Sequence, residues 1–161
     1  MTFCLGMSVE EGLVGIADTM ITVGNETITA RKVKTFAIAN GQFFVMTSGL
    51  RSVRDKTLTY FEEILDEEIL DDYDRLYKVV NELSGSIRRV ADEDKTALKE
   101  SGLGFDIHAL VGGRMSGDKK HKLYLVYPEG NWVVENQSIR LEAGDFILPY
   151  EDVAGTVFFG G

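Results

Sequence analysis

Thr2 is the position whose residue type could do chemistry with the least help. Small second residues generally permit removal of the initiator Met, which would leave a hydroxyl nucleophile and an α-amine on one residue. An α-amine with an ordinary pKa of about 8 is a workable general base near neutral pH, whereas a Lys at about 10.4 is not. A Thr with a free amine is therefore a one-residue form of the nucleophile–base pair. Such a pair needs a nearby cation to lower the amine pKa, and an acid to hold that cation. Asp18 ends a short apolar stretch that a tight turn would bring back beside Thr2. Lys32 and Lys34 stand two apart and share one strand face, their side chains beginning about 6.6–6.8 Å apart. Only one of them can reach both Asp18 and Thr2, and the residues alone leave that choice open.

Other chemistries lack their residues. The glycine-rich segment Val111 to Gly117 has neither a GxGxxG fingerprint nor a G-K-[ST] ending, and it reads as a loop leaving a strand. No G-x-S-x-G elbow is present. His108 falls in an expected strand and His121 among lysines near a turn, neither with a second histidine at metal-ligand spacing. Cys4, the single cysteine, reads as a small core residue, so no disulfide and no metal or organic cofactor is expected.

The elements that must position these residues follow from periodicity. Phe3, Leu5, Met7 and Val9 alternate with Thr2, Cys4, Gly6 and Ser8, predicting a strand with one well-buried face. Glu10-Glu11-Gly12 turns into a second strand, Leu13 to Ala17, apolar enough to be covered on both faces. A turn at Gly24-Asn25 follows. Val33 to Ala39 and Gln42 to Thr47 then form a hairpin around Asn40-Gly41. Two amphipathic helices come next. The first carries Leu50, Val53, Thr57, Phe61 and Leu65, and the second runs from Leu76 through Ala91 toward Leu98, stopping near Ser101-Gly102. Strands resume at Phe105 to Val111, Lys122 to Tyr127 and Asn131 to Glu135, with weaker signals at Ile139 to Leu141 and Val153 to Phe159. Strands, a helical pair, then strands again is an α+β order with helices packed on antiparallel sheet.

With 161 residues the chain reads as a single domain, and its 44% hydrophobic content suffices for a core without disulfide or metal. Asp plus Glu number 26 against 17 Lys plus Arg, a net charge of −9 that repels phosphate backbones and anionic membranes. Eight of the acids lie between Glu62 and Asp74 without EF-hand spacing, so they read as a solvated face between the helices. No apolar run is long enough to span a membrane and no secretory signal opens the chain, which predicts a cytoplasmic protein.

Met1-Thr2-Phe3-Cys4, Glu11-Gly12-Leu13-Val14, Ala17-Asp18-Thr19 and Arg31-Lys32-Val33 together resemble the start of bacterial proteasome-type proteases, most closely the Anbu group. Tyr124 to Trp132 resembles a later strand–turn of that group. The resemblance covers residues 1–134 and not 135–161. It implies an N-terminal nucleophile hydrolase fold, antiparallel sheets sandwiched between helical layers, incomplete at the C-terminus. It also implies a homo-oligomer acting on peptide or unfolded-protein substrates, with no nucleic acid or membrane partner. By the same resemblance Thr2 is the nucleophile, Asp18 the orienting acid, Lys32 the cation with Lys34 as alternative, and Gly49 the oxyanion donor. Met46 and Thr47 would border the substrate pocket, joined by Met20, which stands where the family usually has Arg. The activity so implied is a threonine peptidase. A catalytically silent assembly subunit and a small-molecule amidohydrolase of the same fold are the alternatives, the first favoured by a retained Met1 and the unmatched end of the chain.

Overall fold

The computed structural model describes residues 3–9, 11–23, 25–67, 73–135 and 156–160. At its centre lies a hairpin of β5 (Val33–Ile38) and β6 (Gly41–Gly49), with Phe36 opposite Phe43 and their rings stacked 4.9 Å apart. The turn itself is Ala39-Asn40, so Gly41 belongs to the strand. A Cβ there would lie 2.3 Å from the Arg114 carbonyl oxygen, and glycine is required by the approach of the next strand. That strand is β7 (Ile107–Met115), followed by β8 (Lys122–Val126) and β9 (Trp132–Val134), giving an antiparallel sheet in the order β5-β6-β7-β8-β9. The glycine-rich segment read as a loop is thus strand through Met115. Gly112 and Gly113 leave room for Phe44 and Phe43 of β6, whose atoms would lie 2.5 Å from a Cβ at either position.

Helices α1 (Arg51–Glu67) and α2 (Leu76–Glu100) cover one face of this sheet. Val53, Thr57, Phe61 and Leu65 recur every four residues on α1, and Leu76, Val79, Val80, Leu83, Ile87 and Val90 form the stripe of α2. They pack on Phe43, Val45, Ile107, Val111 and Tyr124, which point to the helix side of the sheet. Gly102, with φ +75°, breaks α2 as expected. On the solvent side the two helices are joined by ions. Lys56 Nζ sits 2.6 Å from Glu93 and 2.9 Å from Asp94, the Tyr60 hydroxyl donates to Glu93, and the Arg89 guanidinium lies 3.8 Å above the Tyr60 ring. Hydrogen bonds from Lys56 and Tyr60 hold the Glu93 carboxyl down to about 2. Of the acidic run, Glu63, Asp66 and Glu67 are exposed on the last turns of α1, and 68–72 lie outside the described residues. Among the described residues no helix is long and apolar enough to cross a membrane.

The opposite face of the five-stranded sheet is covered by a second antiparallel sheet in the order β10-β1-β2, from β1 (Phe3–Val9), β2 (Gly12–Ala17) and β10 (Thr156–Gly160). Here β1 buries one face, as its alternation predicts, and Cys4 is a core residue as read. Cys4 and Gly6 face inward, against Met46, Leu110 and Leu123, while Phe3 is 39% exposed on the outside. β2 follows suit: Gly15 lies under Phe44 and Met46, Val14 and Ile16 are exposed, and the expected cover on both faces is absent among the described residues. The large residues filling the gap come from the five-stranded sheet, so the strands packed on it present small side chains. A separate hairpin, β3 (Met20–Val23) with β4 (Glu26–Thr29), follows β2. Its turn position Gly24 and the weak strand signal at 139–141 lie outside the described residues.

Candidate functional site

Asp18 follows the last residue of β2, and its backbone N–H donates to the Phe3 carbonyl at 3.0 Å. Its carboxylate turns back to the same strand, where Oδ1 accepts the Phe3 N–H at 2.8 Å. That oxygen also accepts Lys32 Nζ at 2.8 Å, and Lys32 donates to the Met20 carbonyl at 2.6 Å. The Lys32 side chain is 1% exposed and that of Asp18 28%. Burial pushes the Asp18 carboxyl up, but the hydrogen bonds from Lys32 and Phe3 and the nearby ammonium outweigh it and leave it below the usual range. Lys34 is elsewhere: it pairs with Glu62 of α1, both side chains well exposed. Of the two lysines, the structure brings Lys32 to Asp18.

The other expected residues are placed unevenly. Thr2 lies outside the described residues. Gly49 ends β6 with φ +116°, and a Cβ there would fall 2.3 Å from the Asp106 carbonyl oxygen. Because Leu50 N–H bonds Asp106 and hydrogen-bonded pairs alternate along an antiparallel ladder, the Gly49 N–H points away from β7. Met46 and Thr47 are both buried, Met46 between the sheets and Thr47 at 2% exposure. Met20 is 53% exposed beside the Lys32 ammonium it helps to hold. Sequence reasoning missed Phe3 as a member of the site through its backbone, and the Met20 carbonyl; neither contribution depends on a side chain, so no motif could announce it.

Cys4 stands next to this cluster, fully buried, with Sγ 4.0 Å from the Thr47 carbonyl oxygen. Burial raises its thiol to about 11, against a smaller lowering by Lys32. The thiol is therefore protonated near neutrality and not a nucleophile. Ellman's reagent is expected to leave Cys4 unmodified in the native protein and to label it in full once guanidinium unfolds the chain. Rapid native labelling would contradict the burial. His108 lies opposite Ser48 near the same end of the sheet, its Nδ1 3.4 Å from Asp106 and its ring edge-on to Tyr127. Among the described residues no group of three potential ligands could hold a metal.

No family model matches the chain, and no curated protein matches it either. Solved structures do. The Anbu (Gly-1) mutant from Hyphomicrobium sp. strain MC1 superposes with a TM-score of 0.76 at 18% identity, over 99% of this chain and 61% of that one. Anbu (ancestral beta-subunit) from Yersinia bercovieri gives 0.74 at 19% identity, over 98% of this chain and 60% of its own. Anbu from Pseudomonas aeruginosa, solved as a helical assembly, gives 0.76 at 20% identity with coverage of 98% and 60%. The chain thus has the α+β fold of these Anbu structures and spans about 60% of their length.

This match corrects the expected activity. The structures matched are Anbu subunits, so the comparisons back the alternative of a silent assembly subunit over the expected threonine peptidase, and that expectation is withdrawn. The described residues hold the Asp18–Lys32 pair with a buried thiol beside it, an arrangement compatible with either role.

Proposed function

We propose that this chain is a catalytically silent, proteasome-like subunit of the Anbu type, whose role is self-assembly. The observation that carries the reading is the fold match over nearly the whole chain, including the match to a subunit solved in a helical assembly. In this reading the Asp18–Lys32 pair ties the first strand to the β2–β3 corner and does no chemistry. The sandwich is that of an N-terminal nucleophile hydrolase. Phe3, Leu5, Met7, Val9, Val14 and Ile16, the apolar outer face of the three-stranded sheet, form the seat of its second helical layer. The protein is cytoplasmic, and the helical pair from Leu50 to Ala91 supplies much of the contact between copies, closed rings being the commonest arrangement of soluble homo-oligomers.

Light scattering coupled to size exclusion, with negative-stain imaging, is expected to show a multimer of defined size. A monomer across a wide concentration range would refute assembly. Fluorogenic peptides are expected to show no turnover above buffer, and a peptide epoxyketone no adduct by intact mass. Turnover that disappears in Thr2→Ala would refute silence.

A further inference from the structure

At the end of the sandwich opposite Lys32, a cavity of about 670 Å³ opens between the two sheets. Its apolar wall is Leu13, Phe44 and Gly112. A Cβ on Gly112 would lie 2.5 Å from the Phe44 ring and 3.1 Å from Leu13, so glycine there lets these two side chains pack down on β7 and form the wall. Gln42 and Arg114 oppose each other across β6 and β7, and His121 enters from the β7–β8 loop, 3.9 Å from where a Gly12 Cβ would stand. The charge of this lining is unusual for the chain. Asp and Glu number 26 in the sequence, yet none lines the cavity. Lys119 and Lys120 are exposed on the adjoining loop, and the Arg114 Nε bonds only the Asp118 carbonyl oxygen, at 3.3 Å. Among the described residues no carboxylate lies within ion-pair distance of Arg114 or His121.

We propose that this cavity binds a small organic anion, a carboxylate or phosphate monoester with a compact apolar body. The body lies over Leu13, Phe44 and Gly112, and the anionic head takes the outer N–H groups of Arg114 and the His121 ring. The volume falls in the usual range for such ligands, and a planar guanidinium suits either head group by paired hydrogen bonds.

The test is a titration followed by amide NMR, with phenyl phosphate and benzoate in separate arms and neutral phenol as control. Saturable shifts confined to amides of 112–116 and 121 are expected with at least one of the two anions. The better arm identifies the head group. Arg114→Gln is expected to weaken binding about tenfold or more, as is usual when a charge-assisted hydrogen bond is lost. His121→Gln is a second variant, exposed enough to fold, with a smaller loss. Equal shifts with phenol, shifts spread over remote lysines, affinity unchanged in both variants, or no binding by either anion would each overturn the site.

Discussion

Asp18→Asn is expected to lower the melting temperature by roughly 10 °C. The substitution takes the Asp18 carboxylate away from the Lys32 ammonium, whose side chain is 1% exposed. Breaking a buried pair from one side costs about 3–5 kcal/mol, and the partial exposure of Asp18 reduces that to about 2–4. In a chain of this size each kcal/mol moves the midpoint by about 2–4 °C. Lys32→Met should cost less, because the carboxylate left behind keeps the Phe3 N–H and reaches water. Lys34→Ala should change little, as its pair with Glu62 is exposed and worth at most about 1 kcal/mol. The pH dependence has a definite sign. The Asp18 carboxyl is depressed in the folded state, so its contribution is complete above an unfolded value of about 4 and is lost as pH falls through the folded one. Thermal melts should therefore show the gap between wild type and Asp18→Asn closing as the pH falls below the ordinary carboxylate range. A gap independent of pH, or Lys34→Ala as the more damaging change, would contradict the assigned pair.

Asp118→Ala is expected to destabilise the fold by a similar amount, about 2–4 kcal/mol. Helix α2 begins after Arg75, whose side chain makes no capping bond. The cap comes from another part of the chain: Asp118 Oδ2 accepts the Leu76 N–H at 3.0 Å and the Met115 N–H at 3.1 Å. Asp118 is 6% exposed, so removing it orphans two buried donors, one of them in the positive end of the helix. Asp118→Asn keeps an acceptor and should cost less than half as much. Urea unfolding with an unchanged m-value would measure both, and Asn matching Ala would argue against the cap.

The helical pair and the strands that follow it were legible because their residues face one core with a clear period. Val53, Thr57 and Phe61 announce α1 as Leu76, Val79 and Val80 announce α2. The first strands were legible as strands, but alternation alone does not say which face of β1 is buried. Volume puts Cys4 and Gly6 inward, since Met46 and Leu123 already fill the gap between the sheets. The β3–β4 hairpin passed unread although its Thr-rich, β-branched composition on either side of Gly24-Asn25 was available. At the site, Lys32 was favoured over Lys34 only through the resemblance, because strand spacing treats them alike and it takes the β2–β3 corner to separate them. The activity was the least legible part. The residue types that support a nucleophile also serve as an internal ion pair, and spacing does not distinguish the two uses.

The strand order of the smaller sheet has a consequence for how the chain reaches its native state. Everything from Val33 to Val134, the helix-backed sheet with its core, is contiguous in sequence and closes through neighbouring hairpins and one helical excursion. β1 instead lies between β2 and β10, with Phe3 opposite Gly160. Contacts that distant carry a large loop-closure cost and form slowly. The five-stranded sheet and its helices are therefore expected to form before the smaller sheet is complete, with β1 keeping one flank unpaired until residues 156–160 zip onto it. Its small inward side chains let it settle last, onto a surface already built.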